Sequence, residues 1–576
     1  MRILVHGETR IKSVYKILFI VFVVLGVYYP SIFSGFNSID DPRIISDLET
    51  VDYNLLDLLL PGRSHYYRPL IWISFYFDKY AWGLDPGILH LENILLHAGN
   101  AILVYLIADR IAGPGEQRIQ LPLLSALLFS VHPINTEAVC WFSGRTDPLA
   151  TLFILAAAYS LTGTKWLHDK SRLLVPAGAI FLGCLAKEVA FFYFPLAYLS
   201  TLSRNLSGTV RSFPWRLAFR HALPFAFFSS LYLYLRQSGL KVEDKSISIL
   251  LTQKSSLIGT FITALKAFGF YVKKLFLPLP LNFAIVGYSD RYLWLGLVAL
   301  LLLCWLLWQK RAYYFFLGAA FFLIFPAVLV AVKPIAWTPV AERYLYAPSA
   351  FFTVAFTGIL FYFLNRKKLE YLLPLFLVPL SISCAYLTVE RNLVWQDNYL
   401  LYRDAVAQSP RFARIRNEYG IALALRGRSD EARQEFETGK EMDKNYYLPI
   451  LNLANLKLRE GKNSQALEIL KKAFKDKKKA NAEILKMEAR IYEKILFSSK
   501  SPAQQKRVSA ELVDTYHHIY LKNKDPYMAY REGQLLLYSG EPQKAAILFE
   551  KASKEAPEDS FYKVAAGRLA EKLRKK

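Results

Sequence analysis

Apolar runs near the length of a bilayer crossing recur at 14–33, 88–109, 121–139, 147–166, 173–186, 188–204, 217–236, 257–278, 291–309, 312–332, 346–365 and 370–390. An α-helix rises 1.5 Å per residue, so about 20 apolar residues cross a hydrocarbon layer ~30 Å thick. One run stands apart. Lys266, Lys273 and Lys274 interrupt 257–278, which reads as an amphipathic helix lying in the interface or re-entering from one side. About eleven spans remain. After Glu390 the pattern changes to charged, soluble helix. The expected fold is all-α, with a polytopic membrane bundle over 1–391 and a second domain over 392–576.

That second domain carries an internal repeat. GRSDEA from Gly427, GKNSQA from Gly461 and GEPQKA from Gly540 share a Gly and an Ala at one spacing. Gly420, Ala454 and Gly533 precede the three glycines at a common offset, and Phe436, Leu470 and Phe549 follow at another. The first two copies are 34 residues apart. This is the tetratricopeptide (TPR) period, in which helix–turn–helix units stack into an α-solenoid with small residues where helices cross. The third copy comes late, so an irregular unit intervenes over roughly 476–525. Such a solenoid offers a groove for a protein or peptide.

Charge decides orientation more than function. The formal net charge is +24, and basic residues fall in alternate connections: Arg110 with Arg118, Lys165 with Lys170 and Arg172, Arg204 with Arg211 and Arg216, Lys310 with Arg311, and Arg366 with Lys367 and Lys368. By the positive-inside rule these face the cytoplasm, behind an uncleaved first anchor led by Arg2, Arg10, Lys12 and Lys16. The excess charge is therefore topological, and nucleic acid is not an expected partner. The second domain then falls outside. Of the cysteines Cys140, Cys184, Cys304 and Cys384, the last three lie in apolar runs, so no disulfide framework is expected.

The outer face collects costly polar residues. Its first loop brings Asp40, Asp41 and Arg68. HPINTEAVCWFSGRTD brings His132, Glu137, Arg145 and Asp147. AKE brings Lys187 and Glu188, and VAERYLY brings Glu342, Arg343 and Tyr346. A carboxylate there can take a proton from a hydroxyl nucleophile. Arg68, Arg145, Lys187 and Arg343 can hold an anionic leaving group, most naturally a phosphate. A base opposite a phosphate clamp is what transfer from a lipid phosphate needs. Structural ion pairs, Glu342–Arg343 and Lys187–Glu188 among them, are the competing reading. The His132–Glu137 spacing fits neither one helical face nor a zinc motif, so a His–Pro turn that caps a span is preferred. In HLENILLH, the residues His90, Glu92, Asn93 and His97 suit hydrogen bonding between helices.

HLENILLHAGNAILV, ALLFSVHPINTEAVCWFSGRTDPLA, LAKEVAF, VAERYLYAPS and RNLVWQDNYLLYRDAVAQSPRFARIRNEYG together resemble the transmembrane and tetratricopeptide-repeat-containing (TMTC-like) O-mannosyltransferase family. The resemblance covers essentially the whole chain. It implies a GT-C glycosyltransferase that moves a sugar, mannose first among candidates, from a polyprenyl-phosphate donor to Ser or Thr of an acceptor protein with inversion. The family's first outer loop carries an acidic pair, which maps onto Asp40 as the base with Asp41 beside it. Arg68, Arg145, Lys187 and Arg343 would bind the donor phosphate, with His132, Glu137, Asp147, Glu188, Glu342 and Tyr346 in support. No cofactor is implied, the lipid-linked sugar being a substrate, and a divalent metal is left open. Expected partners are that donor, membrane lipid and an acceptor held by the TPR groove. About three recognisable repeats stand where eukaryotic members carry longer arrays, which favours a bacterial inner membrane over the endoplasmic reticulum. The alternatives are a non-catalytic membrane-anchored TPR platform for envelope assembly, and a transferase acting on lipid or polysaccharide.

Overall fold

The computed structural model of the chain describes residues 2–61, 67–112, 120–162, 173–205, 215–239, 256–308, 312–333, 338–474, 477 and 480–574. The topology markers Arg118, Lys165, Lys170, Arg172, Arg211, Lys310 and Arg311 lie outside the described residues. Among those described there is no strand. One isolated antiparallel bridge joins Ile285 and Val340, and helices make up the rest of the regular structure. The chain forms two compact units, Met1–Ser409 and Pro410–Lys576. The division falls later than 391 because the helix Leu372–Trp395 runs through that point, and Asn398–Gln408 folds with the first unit.

Among the described residues of the first unit, five helices are long and apolar enough to cross a membrane: Ser13–Phe33, Pro86–Ile111, Ala312–Val332, Glu342–Arg366 and Leu372–Trp395. A sixth would be Gln120–Val131 with Pro133–Cys140, bent by 47°. The bend follows from His132–Pro133, since Pro lacks an N–H and pushes the residue before it into extended backbone. His132 has φ −67° and ψ 119°. By length and composition, five or six of the described helices qualify. Leu174–Ala186 is a shorter apolar helix of 13 residues. Trp215–Gly239 contains Pro224 together with Arg216, Arg220 and Arg236.

The amphipathic helix Leu257–Phe276 is not among the five spans. It lies along Tyr292–Trp308, so closely that a Cβ on Gly269 would overlap the Tyr292 carbonyl oxygen and one on Gly296 that of Leu265. Its Lys266 is paired with Asp290, whereas Lys274 is buried against Glu342.

Short helices Asp41–Thr50, Leu55–Leu59 and Pro69–Trp82 follow the first span. They meet one apolar cluster of Leu48, Ile71, Phe75, Tyr76, Leu89, Phe142, Ala150 and Ala186. Each large side chain buried there stabilises by ~1.5–3 kcal/mol. The Phe75 and Phe142 rings lie 4.7 Å apart. Asp41 shares a helix with Leu48, Arg145 shares one with Phe142, Lys187 follows Ala186, and Arg68 caps the helix that carries Ile71, Phe75 and Tyr76.

The second unit is a run of helical hairpins: Ala413–Leu425 with Ser429–Met442, Leu448–Arg459 with Asn463–Ala473, Ala482–Ser498 with Pro502–Asn523, and Pro526–Tyr538 with Pro542–Glu555, then Lys563–Arg574. The irregular unit is thus itself a hairpin, built of longer helices. The repeat's Gly residues close its turns: Gly427, Gly461 and Gly540 have φ of 77°, 75° and 81°, the left-handed region that a Cβ penalises. Its small residues are crossings, with Gly420 on the Phe436 ring and Gly533 on Phe549.

Candidate active site

Asp40 and Asp41 occupy opposite environments. Asp41 is fully buried, and its carboxylate accepts from the Asn37 N–H at 2.8 Å, from Trp141 Nε1–H at 2.9 Å and from the Ser143 hydroxyl. Burial pushes it up to about 6, although these three donors pull it back. Asp40 is exposed, at the N-terminus of Asp41–Thr50, with only its backbone carbonyl engaged there, by Ile44 N–H at 3.3 Å.

Trp141 joins this acidic loop to the cations. Its ring lies beneath the Arg343 guanidinium, 5.2 Å from the centroid, while its N–H holds Asp41. Arg343 also pairs with Glu137, which accepts the Arg343 backbone N–H at 3.0 Å. Lys187 donates to Asp147 at 2.6 Å and lies over the Tyr344 ring, as Arg343 does. Burial lowers the Lys187 ammonium, Asp147 counters, and Arg68 and Arg343 lower it further. Arg68 holds Glu188 at 2.7 Å, and Arg236 reaches the same carboxylate at 3.2 Å. Burial would raise Glu188, but the two guanidinium groups hold it at about 2. Arg68, Lys187, Arg343, Trp141 and Asp41 thus form one continuous set. The side chains of Lys187, Arg343 and Arg68 are 12%, 18% and 23% exposed.

Arg145 is different. Its side chain is 3% exposed, and all five N–H groups are donated inside the protein: to Asn93 Oδ1 at 3.0 Å, Ser74 Oγ at 3.5 Å, Asp78, Leu89 O at 3.3 Å and Glu92 at 2.8 Å. In this structure each of its N–H groups already has a protein partner. Asn93 in turn donates to the Val139, Trp141 and Phe142 carbonyls, so Arg145 and Asn93 shape the turn that presents Trp141. Gly144 closes that turn, where a Cβ would sit 2.8 Å from Ala138 O.

Other expected site residues serve the frame. His132 accepts from Ile134 N–H at 3.3 Å and, through Nε2, bonds the Leu275 carbonyl at 3.1 Å, as a His–Pro cap does. Glu342 pairs with Lys274 at 2.6 Å and accepts from Asn282 N–H at 2.9 Å. Tyr346 is buried between His97 Nδ1 at 2.7 Å and Asn100 at 3.1 Å, and His97 Nε2 meets Ser130 O at 3.1 Å. Lys187 and Glu188 are not paired with each other, nor Glu342 with Arg343, because each charge finds a partner on another element. Among the described residues no group of three or more His, Cys, Asp or Glu could hold a metal ion. The sequence reading missed Trp141, Ser143 and Arg236. Arg236 was visible as a lone charge ending an apolar run, Trp141 only as one aromatic among many.

Residues 400–445 match the family described as Tetratricopeptide repeat. Human protein O-mannosyl-transferase TMTC3 is 32% identical over 183 residues, covering 30% of this chain and 19% of the relative. Human protein O-mannosyl-transferase TMTC1 is 24% identical over 454 residues, covering 68% of this chain and 49% of the relative. For human TMTC2 the figures are 39% over 99 residues, 17% and 11%. These matches span about half or less of the length of the curated relatives. Over these stretches the chain is similar to the TMTC proteins.

Proposed function

We propose that this TMTC-like chain is a membrane glycosyltransferase that moves a sugar, mannose by analogy with its relatives' names, from a polyprenyl-phosphate donor to a hydroxyl of an acceptor protein. The observation that carries the reading is Trp141, shared by Asp41 and Arg343. Through it the loop that carries Asp40 is joined to a set of partly open cations.

In the proposed step, Asp40 takes the proton of an acceptor Ser or Thr hydroxyl. The hydroxyl oxygen bonds to the anomeric carbon as the bond from that carbon to the phosphate oxygen breaks from the opposite face. The electron pair stays on the lipid phosphate, where Arg343, Lys187 and Arg68 stabilise the charge. Each now holds a carboxylate, so donor binding exchanges or shares an existing partner and spares the site the cost of isolated buried cations. Arg145 braces the turn. Asp41 orients its neighbour. The hairpins of Pro410–Lys576 would recruit the acceptor, on the extracytoplasmic side of a bacterial inner membrane.

The test is transfer of labelled mannose from polyprenyl-phosphate mannose to an acceptor protein in vesicles carrying the full chain. Wild type transfers and Asp40→Asn does not, at equal abundance. Equal transfer by the variant would reject Asp40 as base.

A further inference from the structure

The backbone just ahead of Asp40 is clasped by one side chain from far along the chain. Asn398 Oδ1 accepts from Ser38 N–H at 3.1 Å, and Asn398 Nδ2 donates to Phe36 O at 3.5 Å. A carboxamide offers a donor edge and an acceptor edge, so it can pair with extended backbone as a neighbouring strand would. Tyr402, one turn on, shares a hydrogen bond with Ser38 Oγ at 2.9 Å.

The clasp is itself fixed. Asp397 caps the helix Asn398–Gln408 by accepting from Tyr399 N–H at 2.7 Å and Leu400 N–H at 3.2 Å. Gln396 donates to Pro30 O at 2.6 Å and Asn392 to Val27 O at 2.8 Å. The segment 392–402 is thus stitched along residues 27–38. On the far side of Asp40, Asp41 is tied to Trp141 and Ser143. Asp40 lies between two anchors, its backbone fixed on both sides and its side chain exposed.

We infer that Asn398 and Tyr402 are positioning residues that fix the backbone from which Asp40 meets the acceptor hydroxyl. The inference rests on the transfer reading above. Both residues bond the backbone or side chain just ahead of the base, so their loss is expected to misdirect the base rather than weaken donor binding. Displacements of an ångström in a reacting group cost on the order of a hundredfold in rate.

The experiment uses the full chain in vesicles and two readouts, mannose transfer from polyprenyl-phosphate mannose and backbone hydrogen exchange over residues 36–41. Asn398→Ala is expected to lower kcat about 10- to 100-fold, leave the donor KM within about twofold, and speed exchange at Ser38. Asn398→Asp, which keeps the acceptor for Ser38 N–H, falls nearer wild type. Tyr402→Phe repeats the effect in milder form and settles the matter if Asn398→Ala does not fold. Unchanged exchange over 36–41, or faster exchange with unchanged kcat, overturns the inference. Faster exchange in a protein whose wild type transfers no sugar upholds the clasp and removes the transfer reading instead.

Discussion

Asp40 and Asp41 are adjacent in the chain, yet Asp41 is fully buried under three donors while Asp40 is exposed at the start of the same helix. Two neighbouring carboxylates placed so differently divide the labour. One is a fixed part of the frame and the other can meet a substrate.

Substitution separates the two. Asp40→Asn removes a base and no internal bond, so transfer is lost at normal abundance. Asp41→Asn turns one acceptor edge into a donor and leaves Asn37 N–H, Trp141 N–H or Ser143 without its acceptor, at ~1–3 kcal/mol. Abundance and melting temperature in detergent should fall for Asp41→Asn and hold for Asp40→Asn. The reverse pattern would exchange the roles.

Transfer should depend on pH through Asp41, which burial raises from 3.8 to about 6. Only the carboxylate accepts from all three donors, so activity falls as pH drops through about 6. Trp141→Phe removes a donor that favours the charged form, and the acid limb should move upward. Stability has the opposite sign. Because the folded pKa exceeds the unfolded one, the folded state holds the proton more tightly, and this group's contribution grows as pH falls from about 6 towards 3.8. The melting temperature of wild type relative to Asp41→Asn should rise over that window, by an effect on the order of 3 kcal/mol. A flat difference would contradict the buried carboxylate.

The parts of this molecule that local chemistry dictates were legible in the sequence. Gly427 and Gly461 announce turns because few other residues accept their positive φ, and Gly420 announces a crossing because a ring needs its space. Charges set among apolar runs announced the charge cluster for a similar reason, the cost of such groups near lipid. Pairing was not legible. Arg145 and Arg343 look alike in sequence, and their different roles arise from Asp78, Glu92 and Asn93 in one case and Glu137 and Trp141 in the other. Helix breaks were not legible either, since apolar composition alone does not report a bend such as the one at His132–Pro133.

Those two arginines should answer differently to lysine. Arg145→Lys replaces five directed donors with three on a compact head, stranding Asn93 Oδ1 or a carboxylate in the interior. A loss of ~3–5 kcal/mol is expected, read as low abundance and melting temperature, with the donor KM of the surviving protein unchanged. Arg343→Lys keeps a charge beside Glu137 but loses the flat face on Trp141. It should fold, with the donor KM up about tenfold, or ~1.4 kcal/mol. An unchanged donor KM in Arg343→Lys would remove it from the clamp.

The repeat unit offers a test in which sequence already suggests the rescue. A Cβ at Gly420 would lie 2.5 Å from the Phe436 ring, in the first hairpin. Gly420→Ala gains ~1 kcal/mol of helix propensity but overpacks the crossing at ~1–3 kcal/mol, so the hairpin should loosen. The second hairpin solves the same crossing with Ala454 and Leu470, both buried. Phe436→Leu alone should also destabilise, by leaving a cavity. Together, Gly420→Ala and Phe436→Leu reproduce the second hairpin's pair, and their combined cost should be smaller than the sum of the separate costs. Hydrogen exchange over residues 413–442 of the full chain measures all three. Strict additivity would mean that Gly420 and Phe436 do not share a crossing, and the common logic assigned to the repeats would fail at its first copy.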